Sequence, residues 1–464
     1  MDLMQRIWHR LFLEERPSIG LAFFRIFVAL TVGLHVLPSF VPLADNYLST
    51  AFKTVNPIFF TPGALELVAK SPDWLVVVFV WGFIITWAFF LLGLFSQISC
   101  ILMTACCYYF YALNDFHIGT LSWDILLVTL FLMCLTPYHG DYFSLDALRR
   151  GDTDAYRRTR PFFLQRLLQL QIASTFSYTG LYKITAQGNW LTGNPLHYLM
   201  NYPPEGVTKT FLIKEWMAVH PHFCYAVGIA IIITELSMPF LLFIPRTRRS
   251  AIVLGCLFHV LLVLTLDVPA IFFFLFPAQL LLFINPQKII AWVEAKRTVN
   301  EASPKIRVVY DGDCGFCTNS VNALRVMDLY GKLDYADFRT ADLNALHPSL
   351  TKEKAQSQLY IIDTGGSGPT PSRFGNVQNG GGGPEASVPR SDDVLRGGFF
   401  AFRRLCWALP MMYPLIFLFY FPGAGFVGPW VYRWVAENRF LFHTNNQCAS
   451  APLPNPPHKG EGTP

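Results

Sequence analysis

Apolar stretches long enough to cross a lipid bilayer constrain this chain more than any other feature. A helix rises about 1.5 Å per residue, so roughly twenty apolar residues cover the hydrocarbon core. Such stretches fall near Gly20–Phe40, Asp73–Phe95, Gln97–Leu113, Leu121–Thr136, Phe162–Ile184, His222–Ile244, Ser250–Leu266 and Ala270–Ile284. They are continuous rather than alternating, which calls for helices. The reading is a polytopic α-helical membrane bundle of about eight spans, some short or tilted. Asp267-Val268-Pro269 would join the last two into one bent unit under a lower count. Composition agrees, because only 14% of the 464 residues are charged, against about 25% in a typical soluble chain.

Basic residues give the orientation. Arg6, Arg10 and Arg16 precede the first span, Arg149, Arg150, Arg157, Arg158 and Arg160 follow the fourth, and Arg246, Arg248 and Arg249 follow the sixth. The opposite loops hold the sparser Lys53, Lys70, Lys209 and Lys214. Arg and Lys concentrate on the cytoplasmic side, so both termini are expected in the cytoplasm, in an inner or plasma membrane. Met1–Arg16 lacks the small-residue cleavage site of a signal peptide. It reads as an interfacial amphipathic helix over residues 1–16, with Ile7, Trp8, Leu11 and Phe12 toward lipid. The net charge of +5 is too mild to argue for nucleic acid.

The membrane part covers 17–286, and beyond it the pattern changes. Residues 287–304 read as a helical exit into a linker. Ile306–Tyr310, Leu333–Phe338 and Gln358–Ile362 read as strands, with a helix from Cys314 to about Tyr330 between the first two. The Gly-, Pro- and Ser-rich stretch 364–390 cannot bury enough apolar surface to fold and is expected to be disordered, as is the tail 443–464. The apolar run Met411–Phe421 is too short to span and contains Pro414, which favours a helix on the second domain or on the membrane surface.

Two places carry chemistry. The first is Asp311-Gly312-Asp313-Cys314-Gly315-Phe316-Cys317, at a strand-to-helix turn. A dithiol there gains from unpaired backbone N–H groups and the helix dipole, both of which favour a thiolate. Cys314, nearer the helix start, is expected to attack and Cys317 to resolve. A cytoplasmic domain would keep the pair mostly reduced. No second CxxC or paired His accompanies it, so no metal site is expected. Cys100, Cys106, Cys107, Cys134, Cys224 and Cys256 lie in or beside spans and read as small buried residues. Cys406 and Cys448 read as incidental, with a mixed disulfide as the alternative for Cys448.

The second place is Gly180-Leu181-Tyr182-Lys183-Ile184, which closes an apolar helix and is followed by Trp190 and Gly193. A lysine at a span end either snorkels to the interface or, partly desolvated, becomes a usable base. Glu235, in mid-span, needs a partner or a proton. His259, also within a span, is a further polar candidate beside its reading as a packing histidine.

The motif Val309–Cys317 and the later run Val431-Tyr432-Arg433-Trp434-Val435-Ala436-Glu437-Asn438-Arg439 resemble the opening and closing motifs of the DCC family of thiol-disulfide oxidoreductases. That resemblance, over 305–442, implies a small thioredoxin-like α/β domain. No Pro stands directly before Gln358–Ile362, where a thioredoxin carries its cis-proline. Gly180–Ile184, Trp190, Gly193 and Tyr198, with Ser144-Leu145-Asp146 and Phe258-His259, resemble the horizontally transferred transmembrane domain related to vitamin K-dependent gamma-carboxylase. By that resemblance Lys183 corresponds to the base that deprotonates reduced vitamin K. It implies a vitamin K-like quinone as cofactor; Trp190 and His259 from its motifs, with the mid-span Glu235, are the expected substrate-side residues.

The functional expectation is an integral membrane redox protein with a cytoplasmic CxxC oxidoreductase and a gamma-carboxylase-like module. Its expected partners are the bilayer and a quinone or protein thiol. The alternative is a disulfide reductase whose transmembrane part is only an anchor or scaffold.

Overall fold

The computed structural model describes residues 3–40, 70–113, 121–185, 189–202, 214–265, 271–302, 306–363 and 393–438. The expected disordered stretch 364–390, the tail 443–464 and Cys448 lie outside these residues. The chain divides into two compact units, Met1–Ala147 with Ala155–Ile289, and Leu148–Asp154 with Ile290–Pro464.

The first unit is helical. After α1 (Leu3–Trp8), which buries no side chain, come α2 (Ile19–Val36), α3 (Asp73–Leu92), α4 (Ser96–Leu113) and α5 (Leu121–Met133). Then follow α6 (Phe163–Ile184), α7 (Pro195–Asn201), α8 (Pro221–Phe243), α9 (Arg248–Thr265) and α10 (Ile271–Leu281). Every stretch read as a span is therefore helical. Among the described residues, α2, α3 and α8 suffice by length and composition to cross a membrane, and up to five spans result if two bent helix pairs each count as one.

This unit exposes apolar side chains and buries polar ones. Trp81, Ile85, Leu102, Val253, Leu257 and Leu261 face outward, as suits a lipid surround. Phe24, Phe83, Phe90, Met103, Trp123 and Phe176 form the core. Inside, Gln279 donates to Gln171 Oε1 at 3.1 Å, and Gln171 donates to the Ile125 carbonyl at 2.8 Å. Gln169 donates to the Leu282 carbonyl at 2.8 Å. Between helices in lipid such bonds satisfy groups that have no water to turn to.

At one end of the bundle, polar side chains fasten loops to helices. Asp141 accepts from Ser18 Oγ at 2.8 Å and from two nitrogens of Arg160 at 2.9 Å. The short strands β1 (Glu15–Pro17) and β2 (Thr159–Pro161) pair antiparallel beside it. Asp146 accepts from the Phe95 and Ser96 backbone N–H groups and from Ser96 Oγ, which fixes the start of α4. Arg25, fully buried, donates to the His139 and Phe143 carbonyls.

The second unit opens with α11 (Pro286–Ala302), whose residues from Ile290 belong to it. The helical exit expected before the linker runs through Ala302. Arg297 donates to the Asp328 carbonyl at 3.0 Å and Asn300 to the Tyr330 carbonyl at 2.8 Å, which ties the helix to the sheet domain. The sheet has four strands in the order β4 (Leu333–Asp337), β3 (Ile306–Tyr310), β5 (Tyr360–Asp363), β6 (Val394–Gly397). β3 and β4 are parallel, and the other two pairings are antiparallel. The parallel pair needs a crossover, supplied by α12 (Gly315–Met327). Val308, Val321, Leu324, Ile361, Ala401 and Leu405 form the core between the sheet, α12 and α13 (Gly398–Ala408). A bent pair follows, a 3-10 turn with a short helix over Pro410–Tyr420 and then α14 (Ala424–Glu437), at 113° to each other.

Candidate functional sites

In the membrane unit, α6 and α8 approach closely at Gly180. A Cβ there would lie 2.8 Å from the Leu236 side chain and 3.2 Å from Glu235 Cβ. The missing side chain lets the helices meet, and Lys183, one turn further along α6, then stands opposite Glu235. The Lys183 Nζ lies 2.7 Å from each Glu235 carboxylate oxygen. Only 17% of the lysine side chain and 6% of the glutamate side chain is exposed. The lysine therefore turns into the bundle and does not snorkel outward.

Beyond Lys183 the chain folds back. The Trp190 N–H donates to the Lys183 carbonyl at 3.2 Å, and Asn189 takes a left-handed φ of 52°. The Trp190 ring then lies over the ammonium, 5.4 Å from nitrogen to ring centroid, an attractive cation–π geometry. Gly228 of α8 lets that ring approach, since a Cβ there would lie 3.3 Å from it. Lys183, Glu235 and Trp190 thus form one constellation.

His259 lies elsewhere in the same unit. Its Nδ1 is 2.7 Å from the Gly255 carbonyl, and its ring packs 4.9 Å from Phe276 and 5.8 Å from Phe176. Phe176 precedes Lys183 by two turns of α6, roughly 10 Å along the axis. This is the environment of a packing histidine, hydrogen-bonded and ringed by aromatics.

In the second unit the dithiol sits where expected. Cys314 is the N-cap residue of α12 with extended backbone, and Cys317 follows in its first turn. The two differ sharply. Cys314 is fully buried and disulfide-bonded, whereas Cys317 is half-buried and retains its thiol. The two are therefore not bonded to each other.

Acidic residues hold the loop before Cys314. Asp311 accepts from Arg339 Nε at 2.5 Å and from a second guanidinium nitrogen at 3.0 Å. Asp313 lies 3.0 Å from a third nitrogen of the same guanidinium. Hydrogen bonding to Asp311 raises the Arg339 pKa above its ordinary value. Asp337, at the end of β4, accepts from the Gly312 N–H at 3.0 Å and the Arg339 N–H at 3.1 Å. A Cβ on Gly312 would collide with the Asp337 carboxylate, which explains a glycine between two aspartates. Sequence reading missed Arg339 and Asp337; the only signal was the unexplained pair of acids around Gly312.

Cys317 lines an apolar groove of about 590 Å³, with Phe316, Leu359, Phe399, Leu418 and Val427 among its other walls. Ser357 and Gln358, just before β5, close one side. The groove suits an apolar chain or ring brought beside a thiol.

Among known families, residues 308–375 match the DCC1-like thiol-disulfide oxidoreductases and residues 14–287 match the HTTM domain. No curated protein and no solved structure matches the chain. With that match over more than half its length, the chain belongs to the HTTM domain family and carries a DCC1-like thiol-disulfide oxidoreductase region after its membrane part.

Proposed function

We propose that this protein is a membrane-bound thiol-disulfide oxidoreductase in which Cys314 attacks and Cys317 resolves. The contrast between the two sulfurs carries this reading: Cys314, at a helix N-cap, is in a disulfide, while the thiol of Cys317 stands one turn away. An N-cap sulfur followed by a second thiol in the next turn suits an attacking and a resolving cysteine. The Cys314 thiolate attacks one sulfur of a substrate disulfide and the other sulfur leaves as a thiolate. Cys317 then attacks Cys314, the bound sulfur leaves as the second thiolate, and a Cys314–Cys317 disulfide remains. A separate reductant, of the thiol class, must return the pair to the dithiol. The strand order and the parallel β3–β4 crossover support a thioredoxin-like domain. The apolar groove favours substrates with an apolar body next to the disulfide.

The membrane unit, in this proposal, has about eight spans, both termini in the cytoplasm, and Lys183 toward the opposite face of an inner or plasma membrane. Its lysine is engaged by both oxygens of Glu235, a geometry that suits an ammonium better than a free amine. It fits poorly with a lysine waiting to deprotonate a vitamin K-like hydroquinone, so no step is derived through that group. The reading it favours is a charge clamp between α6 and α8.

The test uses the full chain in native membranes. Cys317→Ser should accumulate mixed disulfides on Cys314, recovered by mass spectrometry after acid quenching and alkylation. Mixed disulfides found on Cys317 in Cys314→Ser, and none on Cys314, would reverse the assignment. Clamp and base separate at Lys183→Arg: a guanidinium keeps the charge but accepts no proton. Retained function in that variant supports the clamp.

A further inference from the structure

We infer that the bent helix pair at the end of the second unit seats in the lipid interface as a monotopic membrane contact, independently of whether the dithiol exchanges. Soluble domains rarely expose large contiguous apolar patches. Here Phe417 is 84% exposed and Phe426 89%, and Leu418, Phe421, Val427 and Trp430 are exposed beside them. Phe426, Trp430 and Trp434 recur every four residues of α14 and so form one outward stripe. The opposite side of the helix packs inward, where Tyr432 meets Phe402 and its hydroxyl accepts from the Leu359 N–H at 3.3 Å.

Three observations name lipid as the occupant. The chain already carries a membrane unit, so a bilayer is always within reach of this domain. The pair is apolar enough in total for a span, yet it bends by 113°. Fourteen residues of α14 rise only about 21 Å, short of the roughly 30 Å hydrocarbon core, so the pair can enter an interface but cannot cross it straight. Finally, the stripe bears the marks of a headgroup-level helix: two tryptophans, with Arg433 and Glu437 at its C-terminal end. Leu418, Phe421 and Val427 also line the Cys317 groove. A hairpin seated in lipid would therefore set that groove beside the acyl region, where apolar disulfides partition.

The test places p-benzoylphenylalanine at position 426 of the full chain in native membranes, with Lys354, exposed on the same unit, as the control position. Irradiation should give phospholipid adducts at 426 and not at 354. Adducts only with protein, including a second copy of this chain, would overturn the inference. A second arm introduces a protease site at Ser303-Pro304 and follows the released fragment through a high-salt wash. It should stay with membranes, and combining Phe417→Glu, Phe426→Glu and Trp430→Glu should lower the retained fraction on the order of tenfold or more. These side chains are too exposed to be needed for folding. Release of the unaltered fragment, or full retention of the triple variant, would count against lipid contact.

Discussion

The two candidate sites each pair two reactive side chains inside apolar surroundings, and they do it in opposite ways. Lys183 and Glu235 are symmetric: each buried charge is cancelled by the other at 2.7 Å. Cys314 and Cys317 are asymmetric: one sulfur is buried and bonded, the other faces a groove. The difference follows from what burial costs. A charge taken out of water needs a partner, whereas a cysteine is among the side chains most readily buried and needs none. A site built from charges therefore closes on itself, while a site built from thiols can leave one member open to a substrate.

The comparison breaks most readily at the sulfurs. Cys314→Ser should cut disulfide exchange on the order of a thousandfold, because the covalent intermediate cannot form. The purified full chain, assayed with a small fluorogenic disulfide, measures it. Residual activity within a few-fold of the parent would move the nucleophile elsewhere.

At the charge pair the expected effect is on stability. Glu235→Gln should leave an uncompensated ammonium in the bundle and destabilise the membrane unit by roughly 3–5 kcal/mol. Lys183→Met combined with Glu235→Leu should recover most of that loss, since an apolar pair of similar size packs without desolvation. Thermal unfolding in detergent compares the two. A double variant as unstable as the single one would mean that the pair does more than cancel charge.

Arg339 sharpens the comparison from the other direction, because here charges serve the thiols. Arg339→Gln should slow exchange by about tenfold while leaving the domain folded, since the loop loses its bidentate anchor on Asp311 but keeps the Asp337–Gly312 bond. Rescue by Arg339→Lys should be partial, as an ammonium cannot reproduce the fork. A shift in the pH profile of exchange should accompany the loss.

The smallest effect concerns His139, in the turn Tyr138–Gly140 beside Arg25. Burial, helped by the Arg25 charge, pushes its pKa down from 6.5 to about 3. The folded state therefore holds it neutral while an unfolded chain would protonate it. Stability is intact above about pH 6.5 and erodes as pH falls toward about 3. Melting temperatures at about pH 7 and about pH 5 should differ less in His139→Gln than in the parent. An unchanged slope would place the acid sensitivity in another group.

Much of this was legible in the sequence, and the rest was hidden for definite reasons. Long apolar runs located the long helices of the membrane unit, because hydrophobic length survives any packing arrangement. The dithiol was placed at its strand-to-helix turn, because a β-like run and a CxxC are local signals. Lys183 was expected with Glu235 and His259 nearby, but its ion pair with Glu235 was not foreseen, since 52 residues separate them and only the glycine at 180 hints at a close crossing. β6 escaped notice because Val394–Gly397 alternates exposed and half-buried residues and has no turn signal of its own. Residues 287–304 read as a helical exit into a linker, but what that exit holds was hidden: Arg297 uses its charge to fasten the helix to the sheet domain.

Gly180 has a genetic consequence. A methyl group there would act as a wedge between α6 and α8, striking Leu236 first. Gly180→Ala should therefore mimic loss of the Lys183–Glu235 contact although it touches neither charge. Second-site suppressors should then arise at Leu236, where a smaller side chain returns the space that the wedge took.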